Sequence, residues 1–124
     1  MSLKKNKEEA KDFVMKAAKL ASERHCTDIV AMDLKGMSPA TDYFLIATGT
    51  SNRQTRTVAE EIIAEGKKDG FIPFGRAGFE TGNWILIDFV DVVVHLFDQD
   101  AREYYDLELL WGDAEKIELA EIQN

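Results

Sequence analysis

Residues 42–54 read DYFLIATGTSNRQ, and this stretch decides the class of the fold. Its apolar run at residues 43–48 is nearly continuous, which is typical of a central strand buried on both faces of a sheet. The turn Gly49-Thr50-Ser51-Asn52 follows, and apolar residues at helical spacing then predict a helix over residues 53–69. A buried strand that passes through a tight turn into a helix indicates an α/β protein.

The elements on either side of this stretch follow from the spacing of apolar residues. Residues 84–89 and 92–97 are joined too tightly for a parallel crossover, so they predict an antiparallel hairpin. Pro73 places the short strand that contains it near a sheet edge. The complete prediction is a helix over residues 6–24, strands 27–34 and 43–48, a helix 53–69, a short strand 71–74, a loop 75–82, strands 84–89 and 92–97, and a last helix that begins at Asp98 or Asp100 and ends at Gly112.

This order of elements, α-β-β-α-β-β-β-α, predicts an α/β (α+β) fold with a mixed five-stranded sheet and flanking helices. The length of 124 residues fits a single domain, assigned to residues 1–112, and residues 113–124 form an acidic C-terminal tail without an assigned element. No apolar run approaches the roughly 20 residues that span a membrane, and no apolar signal core follows the lysine-rich N-terminus. We therefore expect a cytoplasmic protein without membrane contact.

Acidic residues are concentrated in the C-terminal third of the chain. The net charge is −8, and residues 82–124 carry eleven acidic and two basic side chains, for −9, whereas residues 1–25 carry +3. An acidic surface is repelled by phosphate backbones, so this third disfavours direct binding of nucleic acid and favours a basic protein surface as partner. The alternative is that the acidity serves solubility alone.

Two places in the sequence invite a catalytic interpretation, and the first is the Gly49–Asn52 turn. Backbone N–H groups at a helix N-terminus can hold a phosphate. The turn lacks the spacing and the lysine of a P-loop, however, and Ser51 with Gln54 forms a capping box that already uses part of the helix end. A structural role is therefore favoured. Cys26 is the only cysteine, which excludes an intramolecular disulfide, and we expect it to be a small structural residue that is buried or half-buried.

The second place is the hairpin turn with Asp88 and Asp91. Paired carboxylates can bind a metal or perform acid–base work, and His95 shares the parity of Asp91 on its strand. No third carboxylate or histidine has a convincing metal-ligand spacing, and a histidine among apolar residues is more often structural. Catalysis by this set is disfavoured.

Aromatic side chains are frequent between Trp84 and Trp111. Trp84 shares a strand face with Asp88, and this mixture indicates partial exposure instead of a dry core. The last helix carries apolar side chains over more width than one buried face needs, so either core packing or a binding interface accounts for them. These side chains are Tyr104, Tyr105, Leu107, Leu109, Leu110 and Trp111.

Three motifs at their mutual spacing resemble the Iojap family, the ribosomal silencing factors (RsfS). They are DYFLIATGTSNRQ at residues 42–54, W-x-x-x-D-x-x-D-V-x-V-H from Trp84 to His95, and R-x-x-Y-x-L-E-x-L-W from Arg102 to Trp111. The resemblance runs from the first helix to about Trp111, and its two C-terminal motifs are the specific ones.

The resemblance implies a nucleotidyltransferase-like fold that has lost its chemistry. It implies a protein that binds ribosomal protein fourteen of the large ribosomal subunit, blocks subunit joining and so represses translation, and that forms a homodimer when free. It implies no enzyme activity, no catalytic residue, no cofactor, no metal and no direct contact with DNA. The positions that match the partner surface of the family are Trp84, Asp88, Asp91, His95, Arg102, Tyr105, Leu110 and Trp111.

The alternative is a nucleotidyltransferase-like enzyme that uses the Gly49–Asn52 turn with Asp88 and Asp91. Active nucleotidyltransferases carry a D-x-[DE] pair shortly after a Gly-Ser turn, and no such pair occurs in the helix here, which argues against nucleotide transfer. The chain also departs from the family pattern at Ala77, where many members have an acidic residue, and at Val90, where many have glycine in the hairpin turn.

Overall fold

A computed structural model describes residues 7–119 as a mixed α/β structure. The four helices are α1 (Lys7–Glu23), α2 (Asn52–Lys68), α3 (Gln99–Tyr105) and α4 (Leu107–Leu110). The six strands are β1 (Thr27–Asp33), β2 (Tyr43–Thr48), β3 (Gly75–Ala77), β4 (Trp84–Asp88), β5 (Val92–Phe97) and β6 (Glu115–Lys116). They form one sheet in the order β3-β4-β5-β2-β1-β6, in which the pair β2–β5 is parallel and the other pairs are antiparallel.

The predicted α/β class, the central strand β2 and the antiparallel hairpin β4–β5 are confirmed. β2 lies between β1 and β5, and its residues are buried except for the half-buried Phe44. The continuous apolar run at residues 43–48 therefore reflects a strand that is covered on both sides.

The two faces of the sheet are covered to different degrees. On one face, α1 and α2 pack over alternate strand residues such as Leu45, Ile85 and Val94, which are fully buried. The opposite face carries Trp84, Leu86, Asp88, His95 and Phe97, and we call it the open face. The part of the chain that covers it consists of α3, α4 and the segment after them, so several of its side chains are only half-buried.

The predicted strand at residues 71–74 is wrong, and the sheet edge forms at β3 instead. Phe71 is buried, and its N–H donates to the carbonyl of Gly66 in the last turn of α2. This hydrogen bond holds Phe71 against the end of the helix and away from the sheet. Pro73 has no N–H to donate, so the chain joins the sheet only afterwards, where the Phe74 N–H donates to the Asp88 carbonyl at 2.7 Å. The residues predicted as a loop, 75–82, therefore contain the edge strand.

The prediction of a single last helix is also wrong, because the chain bends at Asp106. This residue has φ +45° and ψ +56°, and it divides the predicted helix into α3 and α4. The N-cap is Asp98 and not Asp100, since the Asp98 carboxylate accepts the Ala101 N–H at 2.8 Å. The bend rotates the residues of α4 relative to those of α3, so the spacing of Tyr104, Leu107 and Trp111 does not form one helical stripe.

The sheet has six strands where five were predicted. The additional strand, β6, lies in the acidic tail and pairs with Met32 and Asp33 of β1. Apolar side chains near it are buried, namely Ala114 and Leu119. A two-residue strand has no alternation that periodicity can detect, so tertiary contacts decide its position.

Val90 at the hairpin turn occupies a backbone conformation that disfavours β-branched residues. Its φ is +77°, and the Asp91 N–H donates to the Phe89 carbonyl at 3.0 Å, which closes a γ-turn around Val90. The Asp88 carboxylate accepts the Val90 N–H at 2.7 Å and holds this turn in place. The departure at Val90 thus stores strain in the connection between β4 and β5.

We expect Val90→Gly to raise the free energy of unfolding by about 1 kcal/mol, because relief of strain of roughly 1–3 kcal/mol exceeds the conformational entropy that glycine loses. Urea unfolding measures the change. Val93→Gly, in the extended backbone of β5, is the control and should destabilise the protein. A Val90→Gly protein that is less stable than the wild type would show that the turn is not strained.

Candidate partner-binding surface

Trp84 joins the sheet to α3 at one end of the open face. Its indole stacks on Phe97 with ring centroids 5.2 Å apart and contacts the ring of Tyr105 at 4.4 Å. The indole Nε1–H donates to Nδ1 of His95 at 3.1 Å. Gly78, with φ +86°, makes room for the strand that carries Trp84, because a Cβ at this position would lie 1.9 Å from the Trp84 carbonyl oxygen. Trp84 is therefore a half-buried structural contact as well as a surface residue.

His95 lies beneath this aromatic layer and is 4% exposed. Its ring is 4.6 Å from that of Phe44. Because Nδ1 accepts the indole N–H, the proton of the neutral ring is on Nε2, which is buried and has no hydrogen-bond partner in the described part of the protein. Burial lowers the pKa of His95 to about 4, so the ring is neutral at physiological pH.

Arg102 is the second buried polar anchor of the region, at 8% exposure. Its Nε and Nη2 atoms donate to the two carboxylate oxygens of Glu108, each at 3.0 Å, and Nη1 donates to the Thr48 hydroxyl at 2.9 Å. These hydrogen bonds connect α3 to α4 and to the end of the central strand β2. The hydrogen bonds from Arg102 hold the pKa of the Glu108 carboxyl below its ordinary value, although partial burial opposes the shift.

Four large apolar side chains on α3 and α4 are exposed, and we call them the α3–α4 ridge. They are Tyr104 at 81%, Tyr105 at 45%, Leu109 at 77% and Leu110 at 73% exposure. Acidic residues lie between them in sequence, at Asp106 and Glu108, and precede them at Asp100 and Glu103. Exposed apolar side chains with an acidic rim are the features expected of a surface that binds a basic, partly apolar protein.

The structure brings most of the eight sequence-predicted site residues to the open face or its rim, but at different depths. Five are at least partly accessible, namely Trp84, Asp88, Tyr105, Leu110 and Trp111. Three are buried, namely Asp91, His95 and Arg102, so their observed roles are internal. Two exposed ridge residues, Tyr104 and Leu109, are not among the eight positions taken from the family resemblance, although the apolar pattern of the last predicted helix included them.

The chain matches the family model described as "Ribosomal silencing factor during starvation" over residues 7–124. It belongs to the RsfS family. The ribosomal silencing factor RsfS of Bacillus subtilis is 40% identical over 109 residues, which cover 88% of this chain and 92% of that protein. The RsfS of Haemophilus influenzae is 48% identical over 86 residues, which cover 69% of this chain and 84% of that protein. A chloroplastic Iojap protein of Zea mays is 35% identical, and the match covers 90% of this chain and 48% of that protein.

Solved structures of similar proteins share this fold. A crystal structure of a protein from Chromobacterium violaceum matches with a TM-score of 0.78 at 32% identity and covers 94% of this chain and 93% of its own. A crystal structure of a protein from Bacillus halodurans matches with a TM-score of 0.74 at 35% identity, and the match covers 90% of this chain and 99% of that one. The mixed sheet with helices is therefore the architecture of the RsfS family and not a peculiarity of this chain.

In this RsfS family member, side chains of the protein itself occupy the Gly49–Asn52 turn. The Ser51 hydroxyl accepts the Gln54 N–H at 3.0 Å, as the capping box predicts. The Gln54 side-chain oxygen accepts the Thr50 N–H at 2.7 Å, and its nitrogen donates to the Arg24 carbonyl. Two backbone N–H groups of this region, those of Thr50 and Gln54, are thus already used, which supports the structural interpretation of the turn.

The groups of the alternative enzyme lie far apart. Gly49 follows the end of β2, and its N–H donates to the Phe97 carbonyl at the end of β5. Asp91 precedes the start of the same strand, where Val92 is paired with Tyr43. Six residues of extended strand separate the two ends, a distance of roughly 20 Å. The Gly49–Asn52 turn and the carboxylates of the hairpin therefore do not converge on one reaction centre.

Other features of this RsfS family member have structural explanations. Cys26 is buried as predicted, and burial raises the pKa of its thiol to about 11, which disfavours the reactive thiolate.

An open groove of about 870 Å³ lies between the start of β1 and α3–α4, with Asp28, Glu103 and Asp106 among its lining residues. Within residues 7–119, no three histidine, cysteine or carboxylate side chains are arranged to hold a metal ion. None of the helices described is long and apolar enough to cross a membrane.

The depressed pKa of His95 predicts a stability that falls in mildly acidic solution. Between pH 6.5 and about 4, the unfolded chain binds a proton that the folded protein excludes, so folding weakens as the pH decreases through this window. The free energy of unfolding decreases by up to about 1.4 kcal/mol per pH unit. The decrease begins below pH 6.5, before most carboxylates titrate. We expect urea unfolding between pH 7 and 5 to show this slope.

Two variants identify the titrating group. His95→Gln removes it and should abolish the slope between pH 6.5 and 5. His25 is the other histidine, it is exposed, and it has φ +71°, so His25→Asn leaves a residue that tolerates this backbone conformation and should keep the slope. A slope that survives in His95→Gln would assign the pH dependence to another group.

Proposed function

We propose that this protein silences translation by binding the large ribosomal subunit through ribosomal protein fourteen and blocking subunit joining. The single observation that carries the proposal is the α3–α4 ridge, with four exposed apolar side chains in the most acidic third of a chain of the RsfS family. Apolar anchors with an acidic rim favour a protein partner that is itself apolar at the centre and basic around it.

The charge distribution supports a contact with ribosomal protein instead of ribosomal RNA. Residues 82–124 have a net charge of −9, so an RNA surface would repel this part of the molecule. A basic ribosomal protein offers positive side chains to Asp100, Glu103 and Asp106, while its apolar residues cover the ridge. The protein then docks on an RNA-rich particle without facing phosphate, and its bulk obstructs the approach of the small subunit.

Co-sedimentation with purified large subunits tests this proposal. We expect saturable binding at low salt, weaker binding as salt screens the acidic rim, and competition between the bound protein and added small subunits. Isolated ribosomal protein fourteen should compete for the same surface. Absence of binding to large subunits at low salt, or unchanged joining of subunits at saturation, would refute the proposed mechanism.

We also propose that the free protein, which we expect in the cytoplasm, forms a homodimer that covers part of the ridge. Exposed apolar side chains favour burial against a second copy, whereas the net charge of −8 opposes it. The two associations should therefore respond to salt in opposite directions, because screening reduces repulsion between copies but weakens attraction to a basic partner. Sedimentation velocity at low and high salt measures this difference, and a dimer that weakens with salt would contradict the proposed surface.

A further inference from the structure

α4 packs on the core through the half-buried Leu107, and Trp111 directly after it contacts Phe44 with ring centroids 6.1 Å apart. α4 has four residues, none of them is fully buried, and the bend at Asp106 separates it from α3. Leu109 and Leu110 are exposed at 77% and 73%, so neither contributes much packing that would hold the helix in place. The packing of Leu107 and Trp111 anchors the two ends of α4, and one polar contact acts between them, at Glu108.

The contact that spans the bend is the ion pair between Arg102 and Glu108. Arg102 lies on α3 four residues before Asp106, and Glu108 lies on α4 two residues after it. The guanidinium binds both carboxylate oxygens at 3.0 Å, and its remaining contact, at 2.9 Å, is the Thr48 hydroxyl, which is buried in the central strand. A two-point hydrogen bond of this kind fixes an angle as well as a distance, which a lysine at position 102 could not do.

We infer that Arg102 and Glu108 are positioning residues that orient Leu109 and Leu110 for the partner, and that Arg102 does not itself contact it. This inference rests on the proposed function for its binding consequence only. The rigid substructure runs from β2 through Thr48 and Arg102 to Glu108, and it ends next to the two leucines. Holding them in the bound orientation reduces the conformational entropy that binding would otherwise have to remove.

The first experiment uses the free protein and is independent of any ribosome. Glu108→Gln keeps the size of the side chain but removes the charge and one of the two acceptor oxygens. We expect amide hydrogen exchange at Leu109, whose N–H donates to the Asp106 carbonyl at 3.1 Å, to accelerate about tenfold or more. Exchange in β2 and β5 should stay unchanged. Unchanged protection of Leu109 would overturn the inference whether or not the protein binds ribosomes.

The second experiment separates positioning from a general loss of stability. We expect Glu108→Gln to weaken large-subunit binding about tenfold in the wild-type background but less than about twofold in a Leu110→Ala background, because the pair acts through the leucines. Arg102→Lys should reproduce the Glu108→Gln effect. If the affinity losses of Glu108→Gln and Leu110→Ala multiply in the double variant, the inference is overturned. If the wild-type protein does not bind large subunits, the proposed function is refuted, and the hydrogen-exchange experiment alone decides whether the ion pair positions α4.

The control is an exposed ion pair outside the ridge, in which the guanidinium makes a single contact with the carboxylate. Arg76 of β3 donates to Glu60 of α2 at 2.8 Å, and both side chains are exposed. Glu60→Gln removes a charge from this pair without changing α4, so it should leave both Leu109 exchange and ribosome affinity at wild-type values. A tenfold loss of affinity in Glu60→Gln would show that net charge, and not the orientation of α4, determines binding.

Discussion

Replacing Leu109 and Leu110 together by serine should reduce the affinity for the large subunit by at least about a hundredfold and leave the fold unchanged. Both side chains are more than 70% exposed, so the free protein gains little stability from them. Burial of each leucine at an interface contributes roughly 1.5–3 kcal/mol, and about 1.4 kcal/mol corresponds to a tenfold change in Kd. The measurement is co-sedimentation with purified large subunits over a range of protein concentrations.

A matched control is available at the edge of the sheet that β3 forms. Ile72 and Phe74 are also exposed, at 58% and 71%, in the segment that leads into β3. Serine at both positions removes a comparable amount of exposed apolar surface outside the ridge, so binding should stay at the wild-type level. If the Leu109 and Leu110 variant binds as tightly as the wild type, the ridge is not the docking surface.

Trp84→Ala should lower the free energy of unfolding by about 2–3 kcal/mol, below the range of about 3–5 kcal/mol for a fully buried large aromatic side chain, because Trp84 is half-buried. The indole stacks on Phe97, contacts Tyr105 and donates to His95, so its loss leaves a cavity and a second unpartnered nitrogen on the buried imidazole. Urea unfolding followed by circular dichroism measures the loss. Weak ribosome binding by this variant would therefore not identify Trp84 as a contact residue.

Trp84→Phe separates packing from hydrogen bonding at this position. Phenylalanine keeps an aromatic ring against Phe97 but cannot donate to His95, so the expected loss is about 1 kcal/mol. Tyr105→Ala, which removes a more exposed ring from the same contact, should be milder than Trp84→Ala. Equal stability of Trp84→Ala and the wild type would mean that the indole belongs to the surface alone.

Much of the fold could be predicted because its elements have local causes. The apolar run at residues 43–48 belongs to a strand buried on both faces, and Ser51 caps the helix that follows it. The hairpin β4–β5 was predictable because a short connection leaves no room for a parallel crossover. Each of these features depends on neighbours within a few residues, and such neighbours are visible in a sequence.

The sequence predicted the region of the molecule in which the candidate site residues lie, but not which of them are buried. The motifs placed eight residues on or near one surface, yet Asp91, His95 and Arg102 are buried. Arg102 illustrates the reason, because its partner Thr48 is 54 residues away and belongs to another element. The exposure of a polar side chain depends on such distant partners, and spacing along the chain does not contain them.

The sequence by itself determined the α/β class, the central strand, the hairpin, the acidic character of the C-terminal third and the resemblance to the RsfS family. Tertiary structure alone decided the edge strand after Pro73, the bend at Asp106 and the pairing of β6 with β1. It also decided which apolar side chains of α3 and α4 remain exposed. The physical reason is that secondary structure follows mainly from local periodicity and capping, whereas bends, edge strands and exposure depend on contacts between residues far apart in the chain.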